Sequence, residues 1–99
     1  MEITSPENLV PLVKKFKLEN GITLYKLSKG FEILDVIEPE LAKDVLYFIL
    51  KKKEDDFTTY RLLRYKKNIH DVSIDAEFKA TTTDSAVLNT LGALSKHLF

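Results

Sequence analysis

The chain has 99 residues, enough for one domain with its own core, and its fifteen basic and fifteen acidic side chains cancel. This balance removes any global electrostatic case for nucleic-acid or membrane binding. The absence of cysteine excludes disulfides, thiolate metal sites and thiol catalysis. No apolar run reaches the roughly 18 residues that span a bilayer, and residues 1–8 lack the parts of a signal peptide. We therefore expect one cytoplasmic domain over residues 1–99, with no membrane partner.

Residues 5–20 predict the first helix. Ser5 supplies a capping hydroxyl, and apolar residues then follow helical spacing at Leu9, Leu12, Val13 and Phe16. Pro11 favours a short preceding turn with Asn8 as the cap, because a proline in the first helical turn loses no hydrogen bond. The alternative is a kink at Pro11. Asn20-Gly21 is interpreted as the stop signal.

Gly21 to Ile37 predicts a β-hairpin. Two β-rich runs, Ile22 to Leu27 and Phe31 to Ile37, flank Ser28-Lys29-Gly30, which suits a three-residue loop with Gly30 in the left-handed conformation. The resulting register places large apolar residues on both faces, with Tyr25 opposite Ile33 and Leu24 opposite Leu34. Both faces then require a cover, which helices and a second subunit could supply.

Residues 38–53 predict a second helix. Acids in Glu38-Pro39-Glu40 at its start and the lysines of Lys51-Lys52-Lys53 at its end match the helix dipole. Its apolar face would consist of Leu41, Ala42, Val45, Leu46, Phe48 and Ile49. The rival interpretation makes Val45 to Lys51 a strand, because a continuous apolar run fits either structure.

Two strands and a last helix complete the chain. Phe57 to Lys66 is rich in Thr, Tyr and Phe and predicts a strand. Val72 to Ala80 alternates throughout, which predicts a strand with one wet face and one apolar face, the latter formed by Val72, Ile74, Ala76, Phe78 and Ala80. Thr81 to Asp84 would cap a helix whose apolar stripe is Val87, Leu91, Leu94 and Leu98. Gly92 inside that helix indicates the close approach of another backbone.

The predicted order is α-β-β-α-β-β-α. Short hairpin connections and the lack of an obvious βαβ crossover favour an α+β fold. We expect an antiparallel sheet of about four strands, with the helices packed mainly on one face.

The composition is biased as a whole. The chain lacks Gln, Cys and Trp, has Met only at position 1, and has thirteen lysines against two arginines. In this it resembles the short uncharacterised proteins of hyperthermophilic archaea and of their filamentous or rod-shaped viruses. The resemblance implies a thermostable protein, in the host cytoplasm if viral, and transfers no functional residue.

One basic segment with interleaved aromatics, Tyr60 to Lys67, predicts nucleic-acid contact as an alternative function. Its candidate residues are Arg61, Arg64, Lys66, Lys67 and Tyr65. Strand alternation would split the two arginines between opposite faces, whereas single-strand binders need cations and aromatic platforms on one surface. Nucleic acid is therefore not the favoured partner.

Catalytic and metal-binding motifs are weak. Asp75 and Glu77 on one strand face could form an acid/base pair, and His70 is a further candidate for a hydrolytic enzyme. Alternating acids on a wet strand more often keep a protein soluble or protect a sheet edge. Two histidines without cysteine offer no recognisable metal spacing. We expect no catalytic residue, metal or cofactor.

The favoured prediction is a non-enzymatic module for protein interaction or self-association, in the form of a homodimer. Its basis is the surplus of apolar residues on the predicted hairpin, together with Gly92. The interface candidates are Tyr25, Ile33, Leu24, Leu34 and Gly92.

Overall fold

A four-stranded antiparallel sheet organises the chain, and each strand pairs with its neighbour in sequence. The computed structural model describes residues 2–81 and 83–97, with side chains in the last helix described as far as Leu91. The elements in chain order are a 3₁₀ helix Pro6–Leu9, α1 Val10–Phe16, α2 Gly21–Ser28, β1 Glu32–Ile37, β2 Val45–Lys53, β3 Thr58–Lys66, β4 Asp71–Ala80 and α3 Asp84–His97. The α+β class and the antiparallel sheet are confirmed. The predicted element order is wrong at two places: Gly21–Ser28 is a helix and Val45–Lys53 is a strand.

Both faces of the sheet are covered. α1 and α2 pack on what we call the first face, over a cluster that includes Leu46, Phe48, Leu50, Leu63 and Tyr65. α3 packs on the second face, over a cluster that includes Tyr47, Ile49, Tyr60 and Leu62. The predicted packing of the helices mainly on one face is therefore confirmed only in part, because α3 lies on the opposite face.

The predicted hairpin is wrong in its first strand, because Gly21–Ser28 is helix α2. The side chain of Asn20 accepts a hydrogen bond from Thr23 N (3.4 Å), so Asn20 starts this helix instead of stopping the previous one. Leu24 and Ser28, one helical turn apart, are buried on one side of it. Burial at helical spacing overrides the β propensity of the residues between. Gly30 does adopt the left-handed conformation (φ +85°), as predicted, but in the turn from α2 to β1.

The predicted second helix is also wrong, because Val45–Lys53 is the strand β2. Leu46 to Leu50 are all buried, since β2 lies between two strands and under helices on both faces. A strand buried on both faces has no polar side to reveal its period, so its sequence reads as a continuous apolar run. Leu41, expected in the apolar helix face, lies in the preceding loop and is 80% exposed.

The N-terminal prediction is correct in outline. Pro11 lies in the first turn of α1 after a short 3₁₀ turn, although the cap is Leu9, not Asn8. α1 ends at Phe16, where the left-handed Lys17 (φ +55°) is the C-cap, and not at Asn20-Gly21.

A β-bulge interrupts the alternation of side chains along β4, so its apolar residues lie on both faces of the sheet. Leu63 is opposite Ile74 and Leu62 is opposite Ala76, so Asp75 is an extra residue. The strand pairing therefore places Val72 and Ile74 on the first face, whereas Ala76, Phe78 and Ala80 lie on the second. The prediction of one apolar face is wrong, although both strands β3 and β4 are confirmed.

α3 begins as predicted. Thr83 Oγ1 accepts a hydrogen bond from Ala86 N (3.3 Å), and Val87 and Leu91 are buried. Leu98, the side chain of Leu94 and the surroundings of Gly92 lie outside the described part of the chain.

Tyr65 joins the first face to the connection between α1 and α2. Its ring is fully buried, and its hydroxyl accepts hydrogen bonds from the backbone N–H groups of Glu19 (3.1 Å) and Asn20 (3.3 Å). Tyr65→Phe keeps the ring but removes the acceptor of two donors. We expect the free energy of unfolding to fall by about 1 kcal/mol in urea denaturation. Amide exchange at Glu19 and Asn20 should also accelerate.

Tyr25→Phe is the matched control for this prediction. The Tyr25 hydroxyl donates only to the exposed carbonyl of Thr4 (3.2 Å), which water can solvate after the substitution. We expect a change of a few tenths of a kcal/mol at most. Equal losses in the two variants would contradict the role assigned to Tyr65.

Candidate binding surface

The seam between α1 and α2 forms an apolar groove, which we call the α1–α2 groove. It has a volume of about 260 Å³ and is lined by Pro6, Leu9, Val13, Leu18, Glu19, Gly21, Ile22 and Tyr25. Ile22 is 73% exposed on its rim, and Val10 on α1 is 41% exposed. Most of this lining is hydrocarbon, so the groove suits an apolar side chain of a partner.

Local backbone signals bring the two helices close enough to form the groove. The left-handed Lys17 ends α1, and the buried Leu18 then anchors the connection. Asn20 caps α2 at once, so few residues separate the helices. A Cβ at Gly21 would lie 3.4 Å from Val13 Cγ2, which is ordinary contact distance. Val13 of α1 therefore lies close beside the backbone of Gly21 at the start of α2.

The helical layer that carries the groove is basic. Residues 6–31 contain five lysines and two glutamates, namely Lys14, Lys15, Lys17, Lys26 and Lys29 against Glu7 and Glu19. All five lysines are exposed, and none forms an ion pair with another described residue. Residues 32–99 contain ten basic and twelve acidic residues. The neutral net charge thus hides a positive helical layer and a negative remainder.

The predicted basic segment does not form one surface. Arg61 lies on the first face, where it donates to Leu27 O (2.7 Å), pairs with Glu77 (2.7 Å) and stacks over Phe31 (4.4 Å). Arg64 lies on the second face, and Tyr65 is buried. Lys66 and Lys67 are half-buried at the end of β3. The sheet therefore separates the two arginines, and it removes the aromatic platform.

The candidate catalytic residues are also apart. The β4 bulge places Asp75 on the second face beside Arg64 (3.4 Å), whereas Glu77 pairs with Arg61 on the first face. His70, at a left-handed position in the β3–β4 turn, faces Glu19 (3.1 Å). Each group thus has a different partner, and no two of them share a site.

Arg64 and Asp75 approach the hydroxyl of Tyr47 on the second face. Burial raises the pKa of the Tyr47 hydroxyl, and the Asp75 carboxylate raises it further, while Arg64 opposes the change. The tyrosine therefore stays protonated at neutral pH. The arginine and the aspartate compensate each other, so this cluster offers no excess charge to a ligand.

A second polar cluster holds the start of α3 to the sheet. Asp84 accepts hydrogen bonds from Lys51 Nζ (2.5 Å) and from the Tyr60 hydroxyl (2.8 Å). These bonds lower the pKa of Asp84, and the same contact with Asp84 raises the pKa of Lys51. Burial, followed by the bond to Asp84, raises the pKa of Tyr60. All three groups are kept in their bonded protonation states, which is the behaviour of a structural anchor.

The predicted interface residues are distributed between the core and the groove. Leu24 is buried in the first-face cluster, and Ile33 packs against that cluster. Leu34 packs against the second-face cluster. Tyr25 lines the α1–α2 groove. The surroundings of Gly92 lie outside the described part of the chain.

The groove does not follow from the sequence prediction, because residues 22–27 predict a strand. Asn20 is the one local signal of α2, since an asparagine can cap a following helix as well as follow a preceding one. Leu24 and Ser28 lie one helical turn apart, but only the tertiary structure shows that both are buried.

No protein-family model, curated protein or solved structure matches this chain. Among the described residues, no helix has the length and apolar character needed to cross a membrane. The same residues contain no group of three His, Cys, Asp or Glu side chains placed to hold a metal.

Proposed function

We propose that the protein is a non-catalytic binding module that holds an acidic amphipathic segment of another protein in the α1–α2 groove. The observation that carries this proposal is an apolar groove within a layer of five exposed lysines that form no ion pair with another residue of the described part of the chain. Apolar side chains of the segment would fill the groove, and its acidic side chains would face the lysines.

The charge of the layer favours a different molecule over a second copy as the occupant. A symmetric dimer would place the same patch of both copies face to face. The lysines of one groove would then oppose the lysines of the other, and this repulsion costs binding energy. An acidic partner avoids that cost.

A non-catalytic role is supported by the pairing of the ionisable groups. Arg61 with Glu77, Arg64 with Asp75, and Lys51 with Asp84 all join different elements of the fold. The cleft of about 340 Å³ between the β1–β2 loop and the β3–β4 turn has mixed charge, since Glu38, Glu40, Lys43 and Lys67 are among its lining residues. These groups act on one another, which favours stability over chemistry.

Two synthetic helical peptides provide the test. They share one apolar stripe, and one carries Glu on its polar face where the other carries Lys. Fluorescence anisotropy should show binding of the acidic peptide only, and the binding should weaken as salt concentration increases. Amide chemical-shift changes should be concentrated in α1 and α2. Equal binding of both peptides, or shift changes confined to the sheet, would overturn the proposal.

Ile22→Ser should weaken binding of the acidic peptide about tenfold, because the exposed rim of the groove loses its hydrocarbon. Leu41→Ser is the matched control: Leu41 is 80% exposed but lies outside the groove, so it should leave binding unchanged. Both residues are exposed enough that neither change should unfold the protein.

The charge contribution is tested by Lys26→Glu with Lys29→Glu, which should abolish the salt-sensitive part of the binding. Lys52→Glu with Lys53→Glu reverses two exposed lysines at the end of β2 and is the control. Single-stranded RNA and DNA serve as competitors. If nucleic acid displaced the acidic peptide and bound more tightly, the occupant would be nucleic acid and not an acidic protein segment.

A further inference from the structure

β4 forms a free edge of the sheet. Within residues 2–81 and 83–97 it pairs on one side only, with β3. Its open side presents backbone N–H and C=O groups that can accept another strand. Ile74 (44% exposed) and Phe78 (37% exposed) add apolar surface.

The opposite edge is less open. Glu2 forms a bridge with Glu32 at the start of β1, and Ile3 N donates to Phe31 O (2.8 Å). β1 also contains a bulge between Ile33 and Asp35. A strand can therefore be added more readily to β4 than to β1.

We infer that two copies of the chain associate through β4, antiparallel, about a two-fold axis beside Phe78. This inference is independent of the α1–α2 groove. A two-fold axis perpendicular to the sheet joins the two sheets so that the first faces of both copies lie on the same side. One residue then faces itself across the axis, and residues equally far on either side of it face one another.

Charge complementarity favours Phe78 as the residue that faces itself across the two-fold axis. An axis at Ala76 would set Asp75 against Glu77 of the other copy, and an axis at Glu77 or Lys79 would set two like charges together. An axis at Phe78 sets Glu77 against Lys79 twice. It also sets Ala76 against Ala80. This register satisfies both charged positions of the strand beyond the bulge.

The side chains are placed for this pairing. Glu77 and Lys79 are exposed, and the strand pairing puts both on the first face. Glu77 is held by Arg61 (2.7 Å), and its carboxylate can accept a further donor. Phe78 stacks on Tyr60 on the second face, with ring centroids 5.5 Å apart. The two Phe78 rings would extend this stack across the axis.

The bulge at Asp75 limits the regular pairing to Ala76–Ala80 of each copy. Such a short ladder buries little surface, so the dimer is expected to form in a concentration-dependent way. Sedimentation velocity from micromolar to millimolar protein should show a monomer that converts to a dimer. A monomer at every concentration would overturn the inference.

Charge reversal tests the register. Glu77→Lys and Lys79→Glu should each give a monomer, because each places like charges opposite one another. The double variant should dimerise again, and an equimolar mixture of the two single variants should form a heterodimer. Asp71→Lys, outside the ladder, is the control and should still dimerise. Survival of the dimer in both single variants, or failure of both rescues, would overturn the register.

Folding is controlled within the same design. Glu77→Lys also removes the ion pair with Arg61, whereas Lys79→Glu keeps that pair and removes only the contact of Lys79 Nζ with the Phe57 ring (4.6 Å), so the second variant provides the single reversal if the first unfolds. Circular dichroism verifies the fold of each variant.

A cysteine cross-link gives an independent measurement, because the chain has no cysteine of its own. Residues directly opposite in an antiparallel pair lie at a separation that a disulfide can bridge. Phe78→Cys should therefore oxidise to a covalent dimer much faster than Ile74→Cys, a similarly exposed position that does not face itself. Equal rates of oxidation would contradict an axis at Phe78.

Discussion

Phe48→Ala is expected to lower the free energy of unfolding by about 3–5 kcal/mol, the largest effect of any single change considered for this protein. Phe48 is fully buried in the first-face cluster, opposite Leu63 on β3 and Val36 on β1. Because strands on both sides hold its backbone, the cavity cannot easily collapse. A small domain has about 5–15 kcal/mol of stability, so much of it would be lost.

Urea denaturation followed by circular dichroism measures this loss. Phe16→Ala is the matched control, since Phe16 packs at the half-buried edge of the same cluster. We expect its cost to be less than half as large, because part of its ring is already solvated. Similar costs at the two positions would argue against β2 as the doubly covered central strand.

Asp84→Ala is expected to cost about 1–3 kcal/mol. The substitution leaves the Tyr60 hydroxyl, on a side chain that is 1% exposed, without its carboxylate acceptor, and it leaves Lys51 without its closest acid. It also removes the only acid in the first turn of α3. Amide exchange in α3 should accelerate more than exchange in β2 and β3.

The double variant Asp84→Ala with Lys51→Met distinguishes the loss of the Asp84–Lys51 interaction from an unspecific loss of stability. Removing both partners of a pair costs less than removing one, because no unpaired charge stays behind. The double variant should therefore be more stable than the sum of the two single losses indicates. Simple additivity would show that Asp84 and Lys51 do not act as a pair.

The same anchor makes stability depend on pH in a stated direction. The pKa of Asp84 is lowered below its ordinary value of 3.8 by its bonds to Lys51 and Tyr60, so its contribution is complete above that pH. The contribution is lost as the pH falls through the lowered value. The pKa values of Lys51 and Tyr60 are raised from 10.5 and 10.0. The contribution of these two groups to stability is therefore complete below about pH 10, and it is lost as the pH rises through the raised pKa values.

Asp84→Asn tests the predicted loss of the Asp84 contribution at acidic pH. The difference in unfolding free energy between wild type and Asp84→Asn should be largest near neutral pH and should shrink below pH 3.8. Glu32, 4.0 Å from Lys51, is the neighbouring acid, so Glu32→Gln serves as the control. A difference that does not change with pH would contradict the assignment.

The C-terminal half shows how far local patterns reach. β3, β4 and the start of α3 were predictable because the strands are rich in β-formers and a threonine caps the helix. The bulge at Asp75 was not predictable, because apolar and polar residues alternate without interruption on both sides of it. It exists only because β3 and β4 pair in a register that leaves one residue of β4 without a counterpart.

The candidate site was predictable only in part. Tyr25 was identified as an interface residue, and it does line the groove, but for a hairpin that does not exist. The basic excess of residues 6–31 can be read from the sequence, yet it indicates a surface only when α1 and α2 are known to lie side by side. The homodimer, the thermostability, the hyperthermophilic origin and the cytoplasmic location stay predictions.

Local sequence patterns are sufficient to predict the class of this protein, an antiparallel α+β fold with a left-handed Gly30 and a capped last helix. These features depend on single residues and on short-range spacing. Tertiary contacts, in contrast, are needed to explain why residues 21–28 form a helix and residues 45–53 form a strand. Both segments are apolar in more than one direction, and such a segment takes the conformation that its neighbours can bury. β2 is an interior strand because strands flank it and helices cover both its faces, and α2 is a helix because Leu24 is then buried in the first-face cluster while Ser28 is buried one turn later.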